Sequence, residues 1–391
     1  MENRIKHILE HLPFIEDQLR SIKEVVISNI ILIGQTPAPT FAEEARAELF
    51  LNRLAEGHAD ECTTDDFGNP VGIIKGTSNG ASPPIFAVGH LDTAFDEDAD
   101  YSYIVNKNSI TGPGLLDNTV SVGVLASLPV ILKTLGLSFE SDIVLPGVIQ
   151  SIGKGNLGGM RHLLNNWNGP IRGGVILEGE KTGRLNYYSE GIIRGEINCR
   201  VPRYEGRTYR YHPNAILVLN ELINEILSMK LPQRPRSRVI IGRIQGGFKH
   251  GLIAYDAQLG FEIQSDSDGM VRQMFAEIQD IVDGLGHEHA VELEMEVIST
   301  QNAASLKYSH PLVKTTVAVM KRLGLKPLSE SSESELSVFL SKQIPAVTLG
   351  LTTGKNIHTE NATMEIDPMF KGIAQVIGVL MAIDSGVCDE L

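Results

Sequence analysis

The hydrophobic pattern of this chain changes period twice, near residue 190 and again near residue 302. Before the first change, the β-branched runs VGIIKG, PIFAVGH, DIVLPGVIQ and GGVILEG alternate with helical segments such as Asn118–Leu135 and Gly159–Asn166. That alternation predicts an α/β unit with a mostly parallel central sheet flanked by helices. After Gly191 the order becomes strand (GIIRGEINCRVP), helix (Asn214–Met229), two strands (SRVIIGRI, AQLGFEIQS), helix (Gly269–Leu285) and strand (VELEMEVIST). This βαββαβ order is that of a ferredoxin-like α+β module. Beyond it a helix at Pro311–Leu323, the buried-strand run AVTLGL and a long helix from about Pro368 return to the first style. Residues 1–190 and 303–391 are therefore expected to form one domain, with residues 191–302 inserted into it.

A chain of 391 residues exceeds what one hydrophobic core usually serves, in keeping with two domains. The N-terminal part reads as helix to about Leu32, is stopped by Pro37 and Pro39, and becomes helical again from Phe41 to Glu56. The net charge of -14 argues against nucleic acid or an anionic membrane as a partner, because both select basic surfaces. Cys62, Cys199 and Cys388 are few and far apart, which fits a reducing cytoplasm better than a disulfide framework. The first residues mix charged and apolar side chains, so no signal peptide is expected. No stretch is expected to be long and apolar enough to span a membrane.

Five residues attract chemical interest by where they fall. His90 closes the apolar run PIFAVG, at the strand end where open α/β sheets place ligands, and Asp92 follows on the same side of an extended chain. Asp117 lies in GPGLLDN ahead of a helix, Glu178 ends GGVILEG, and His358 lies just past AVTLGL. Each has a plainer reading: a strand-closing histidine is commonly structural, and an aspartate before a helix is commonly its N-cap. Two histidines and two carboxylates at junctions of one α/β domain nevertheless make a candidate metal site.

The segments GHLDT, GPGLLDN, LEG, SSESEL, IPAVTLGL and NIHTEN occur in one order along the chain, after the leader APTFAEEARAELFLNRL and DDFGN. In that order and spacing the chain resembles the cocatalytic-zinc peptidases and deacylases: aminoacylase, acetylornithine deacetylase, succinyl-diaminopimelate desuccinylase and peptidase T. The resemblance runs from about Ile31 to Ile383. It implies a zinc-exopeptidase-like domain with a ferredoxin-like lid and dimerisation insert. It also implies a first metal held by His90 and Glu178, with Asp117 bridging to a second metal bound by His358. Asp92 would be the carboxylate that supports the site.

The same resemblance exposes departures. The family carries two adjacent glutamates after the strand that here reads DIVLPGVIQ; the first takes a proton from the attacking water and the second binds the second metal. Ser151 and Ile152 stand there, and no acidic residue lies between Asp142 and Glu178. A hydroxyl is a very weak base, and a positioned general base is worth roughly 100- to 10,000-fold in rate. The substrate-binding positions are replaced too, by Glu205, Gly251 and Gln264, and the aspartate of the SSD segment by Glu333. The rest of SESSESE reads as a solvated turn. The expectation is a zinc-dependent hydrolase of small peptides or N-acyl amino acids, with manganese or cobalt as substitutes. One metal per chain is expected rather than two, in a cytoplasmic homodimer whose activity is reduced, altered or lost. The alternative is a non-catalytic homologue that binds a small ligand or a protein partner.

Overall fold

The structure, a computed structural model, describes residues 2–202 and 212–389. The chain opens with helices α1 (Glu2–Leu19), α2 (Lys23–Gly34) and α3 (Glu44–Glu56). Strands β1 (Glu61–Thr64), β2 (Pro70–Ile74), β3 (Ile85–His90), β4 (Ile104–Val105) and β5 (Ser109–Thr111) lead to α4 (Val120–Thr134). Next come β6 (Ile143–Val148), α5 (Gly158–Asn166), β7 (Gly173–Glu180), β8 (Leu185–Asn186) and β9 (Tyr188–Ser189). The following stretch holds β10 (Gly191–Arg200), α6 (Ala215–Ser228), β11 (Ser237–Gly246), β12 (Asp256–Ser265), α7 (Asp268–His289) and β13 (Glu292–Gln301). The chain then passes through β14 (Ala304–Ser305), α8 (Pro311–Arg322), α9 (Leu336–Ser341), β15 (Ala346–Thr352), β16 (Gly354–Lys355), β17 (Thr363–Glu365) and α10 (Ile366–Asp384). It forms two compact units, Met1–Tyr188 with Ser305–Leu391, and Ser189–Ala304.

The first unit is built on a seven-stranded sheet in the order β1-β2-β6-β3-β7-β15-β8. Its four central strands, β6, β3, β7 and β15, are parallel, and the edge pairings are antiparallel. Strands β3, β6 and β15 are buried along their full length, as expected for parallel strands covered on both faces. Helices α2 and α4 pack against each other so closely that a Cβ on Gly123 would lie 2.9 Å from the Ile30 backbone nitrogen, which leaves room only for glycine.

One expectation needs correcting here. Two helical stretches, Leu115–Thr134 and Ile366–Asp384, are long and apolar enough to cross a membrane. Both are core helices, with 89% and 78% of their apolar windows buried, so their hydrophobicity is spent on the sheet. A second feature unforeseen in the sequence is a small antiparallel sheet, β16-β17-β5-β4. Its strands have two or three residues each, too short to leave a period. It matters to the site, because Met364 of β17 pairs with Ile110 of β5 and so ties the loop of His358 to the segment that runs on to Asp117.

The second unit is a four-stranded antiparallel sheet in the order β11-β12-β10-β13, with α6 and α7 packed over its core of Ile197, Leu219, Leu222, Leu259, Ile263 and Ile278. Sequence order βαββαβ and this spatial order together are the ferredoxin-like arrangement. The α/β unit with a ferredoxin-like insert is thus the architecture observed.

Candidate metal centre

Parallel strands deliver their C-terminal ends to one edge of the sheet, and the chemistry gathers there. His90, the last residue of β3, is buried and its ring is held on both sides. Its Nδ1 lies 3.1 Å from the Asp92 carbonyl oxygen and 3.4 Å from Asp92 Oδ1, while Nε2 lies 3.1 Å from Asp117 Oδ1. Asp92 is wholly buried, and its Oδ2 accepts from Thr40 Oγ1 (2.8 Å) and from the backbone N–H groups of Ser151 (3.0 Å) and Ile152 (2.8 Å). This carboxylate therefore fixes both the histidine ring and the loop after β6.

Asp117 is not a helix cap. It sits in a kinked, non-helical part of the turn Leu115–Thr119, with φ -136° and ψ 83°, and α4 starts only at Val120. The turn is pinned to β7 by the neighbouring Asn118, whose side chain bonds to the main chain of Leu177 and Gly179. Asp117 Oδ2 lies 3.5 Å from His358 Nδ1, so its two oxygens face two imidazoles. His90, Asp117 and Glu178 each offer a ligand atom, and these atoms all lie within 4.8 Å of one another. His358 is largely exposed on the outer side.

The electrostatics fit a cluster built for a cation. Burial alone would lower the pKa of His90, but the flanking carboxylates of Asp117 and Asp92 hold it well above the ordinary histidine value. Burial opposes ionisation of Asp117 as well, yet His358 and His90 bring it far below the usual carboxylate range. Glu178 is pushed up to about 7, chiefly by burial. Converging imidazole and carboxylate donors of this kind suit zinc, manganese or cobalt.

Ser151 and Ile152 are the third and fourth residues after β6 and bring neither a base nor a ligand. The sequence reading missed the carboxylate that lies beside them. Ser151 Oγ donates to Glu335 Oε1 at 2.6 Å, and Glu335 is 1% exposed. Its Oε2 is buried with no hydrogen-bond partner among the described residues. The stretch expected to be a solvated turn is therefore only partly so. Ser332, Ser334 and Glu335 are buried, and Ser334 Oγ lies 3.4 Å from Thr348 Oγ1 of β15, whereas Glu333 is exposed. Spacing of polar residues gave no sign of this, because burial here is decided by the packing of α9 and β15.

The replaced positions of the insert are separate matters. Glu205 lies outside the described residues. Gly251 occupies an exposed turn with φ 78°, where glycine is the natural residue. Gln264 is buried in β12 and receives a hydrogen bond from Arg238, its cross-strand partner on β11. A surface cavity of about 610 Å³, lined by Arg4, Phe139, Glu140 and Arg172 among others, lies where the chain enters β6 and β7 and shares no residue with the cluster.

No profile of a known protein family matches the sequence, and no curated protein does. Solved structures do match. The dipeptidase Dug1p of Saccharomyces cerevisiae superposes with a TM-score of 0.78 at 13% identity, over 96% of this chain and 98% of its own. The M20 family metallo-carboxypeptidase Sso-CP2 of Sulfolobus solfataricus gives 0.74 at 12% identity, over 92% and 99%. Aminopeptidase PepT of Bacillus cereus gives 0.72 at 16% identity, over 92% and 98%. The fold is that of the M20 metallopeptidases, across both units. At such identities the likeness is one of architecture, and function has to be argued from this chain's own residues.

Proposed function

We propose that this protein is a metal-dependent hydrolase of amide bonds in small peptides or N-acyl amino acids, a divergent member of the cocatalytic-zinc peptidase and deacylase family. The observation that carries this reading is the convergence of His90, Asp117 and Glu178 at the C-terminal edge of the parallel strands, with His358 on the far side of Asp117. In this reading His90 and Glu178 hold one cation with Asp117, and His358 with Asp117 offers a weaker second place. Zinc is the first choice, with manganese or cobalt as substitutes. A bound cation of this type polarises a carbonyl and makes water a better nucleophile near neutral pH. Asp92 orients the His90 ring, and its hydrogen bonds to residues 151 and 152 hold the neighbouring loop in register with the cluster.

The contribution of residues 151 and 152 is smaller than the family pattern provides, so turnover below that of the family is part of the proposal. A second reading, a non-catalytic homologue that binds a small ligand or protein partner, is favoured by the same two positions. We further propose a cytoplasmic homodimer joined through the insert, with nucleic acid and membrane excluded as partners. Two measurements separate the readings: elemental analysis of protein purified without chelator, and hydrolysis of a panel of dipeptides and N-acetyl amino acids with added zinc, manganese or cobalt. About one metal per chain together with turnover supports the hydrolase. Absence of metal after reconstitution sinks it, and metal without turnover favours the binding protein.

A further inference from the structure

We infer that Glu335 is the general base of this site, supplied from the loop before α9 in place of a side chain at position 151. The inference rests on the metal-hydrolase reading above and deepens it. Three observations carry it. Glu335 is 1% exposed, and one of its oxygens is held at 2.6 Å by Ser151 Oγ. A serine at 151 is shorter than a glutamate, and the Glu335 carboxylate fills space that a longer side chain there would need. The other oxygen, Oε2, is buried without a hydrogen-bond partner among the described residues. An orphaned buried carboxylate oxygen is costly, and one kept in a site is there for a ligand or a proton. Finally, Ser151 joins Glu335 to the cluster: the backbone N–H of Ser151 donates to Asp92 Oδ2, and Asp92 flanks Nδ1 of the His90 ring.

The neighbouring acids do not compete for the role. Asp92 Oδ2 already accepts three hydrogen bonds, and Oδ1 faces His90. Asp117 lies between two imidazoles, and Glu178 belongs to the ligand cluster. Glu43 Oε1 accepts from Gln150 N–H at 2.8 Å. In the reaction, Glu335 takes one proton from the attacking water while the water oxygen bonds to the amide carbon. That proton then passes to the amide nitrogen as the C–N bond breaks, releasing an acid and an amine and returning Glu335 to its carboxylate form.

The test compares zinc-loaded wild-type protein with Glu335→Gln. Glutamine still accepts from Ser151 Oγ–H and removes only the basic charge. Expected are equal zinc content, a kcat about 100- to 10,000-fold lower on the best panel substrate, and a KM little changed. Ser151→Glu combined with Glu335→Ser returns a carboxylate from the other side and should regain much of the loss. Acetohydroxamate, which gives up a proton as it chelates, should bind wild type about 10-fold more tightly than Glu335→Gln. Zinc bound equally, with turnover equal in both proteins, overturns the role of Glu335 and leaves the hydrolase reading intact. Wild-type protein that cannot be loaded with zinc overturns both. If zinc binds and no panel substrate turns over, the acetohydroxamate comparison decides: equal affinities overturn the assignment.

Discussion

The side-chain amide of Asn118 grips the main chain on both sides of Glu178: Nδ2 donates to the Leu177 carbonyl oxygen at 2.9 Å, and Oδ1 accepts from Gly179 N–H at 2.9 Å. One residue thus sets the distance between Asp117, its neighbour in sequence, and Glu178, its neighbour in space. Asn118→Ala removes both bonds and leaves two buried backbone groups unpaired, at about 1–3 kcal/mol each before relaxation. The expected result is a loss of about 2–4 kcal/mol in urea unfolding, with zinc affinity about 10- to 100-fold weaker because the ligands lose their support. A variant with reduced stability but unaltered zinc affinity would show that Asn118 serves the fold alone.

Zinc binding should expel protons. His90 is held well above its ordinary value of 6.5 and Glu178 is raised to about 7, so near neutrality both carry protons that a cation must displace. Apparent zinc affinity should therefore fall by about 10- to 100-fold from pH 7 to pH 6. Calorimetry in buffers of different ionisation enthalpy checks this directly, and heats independent of the buffer would contradict it. Without metal the sign is opposite. Both groups bind protons more tightly folded than unfolded, so each contributes stability at low pH. That of Glu178 is lost between about 4.5 and 7, and that of His90 from 6.5 upward through its raised folded value.

How much of this was legible in the sequence depends on where each residue's position is decided. His90 ends β3 and Glu178 lies two residues before the end of β7, and strand ends in a parallel sheet share one edge, so their meeting follows from pattern alone. His358 reaches Asp117 by another route, the pairing of β17 with β5, which strands of three residues do not announce. Glu335 was invisible because Glu330, Glu333 and Glu335 look alike in a serine-rich run, and only the packing of α9 and β15 buries the third. The kinked turn at Asp117 was hidden for a related reason: glycine-rich turn chemistry before a helix reads as an N-cap, and the Asn118 bonds that override it come from residues about sixty positions away.

Restoring acids at the two departed positions should rebuild the second metal place. Ser151→Glu with Ile152→Glu is expected to raise bound zinc from about one toward two per chain after dialysis. Since Glu335 Oε1 already lies 2.6 Å from Ser151 Oγ, the new carboxylate at 151 meets a like charge. Adding Glu335→Ser should then improve both stability and metal content over the double variant. Unaltered stoichiometry in both variants would mean that residues 151 and 152 do not face the cluster, and the assignment of Ser151 and Ile152 to those family positions would fall.

The proposed dimer has a physical starting point in β11. Among the described residues this strand is an edge of the insert's sheet, and an edge with apolar side chains is prone to pair with another copy. Ile240 and Ile244 on the strand are exposed, and Phe248, just beyond its end, is 96% exposed. Water-facing aromatic and aliphatic residues grouped along one edge are poorly explained by a solitary subunit. Light scattering after size exclusion should give about twice the chain mass of 42.7 kDa. Ile244→Asp with Phe248→Asp should shift the protein to a monomer without lowering its melting temperature by more than a few degrees, since both side chains are already in water. A monomeric wild type, or a double variant that stays dimeric, would remove this edge from consideration.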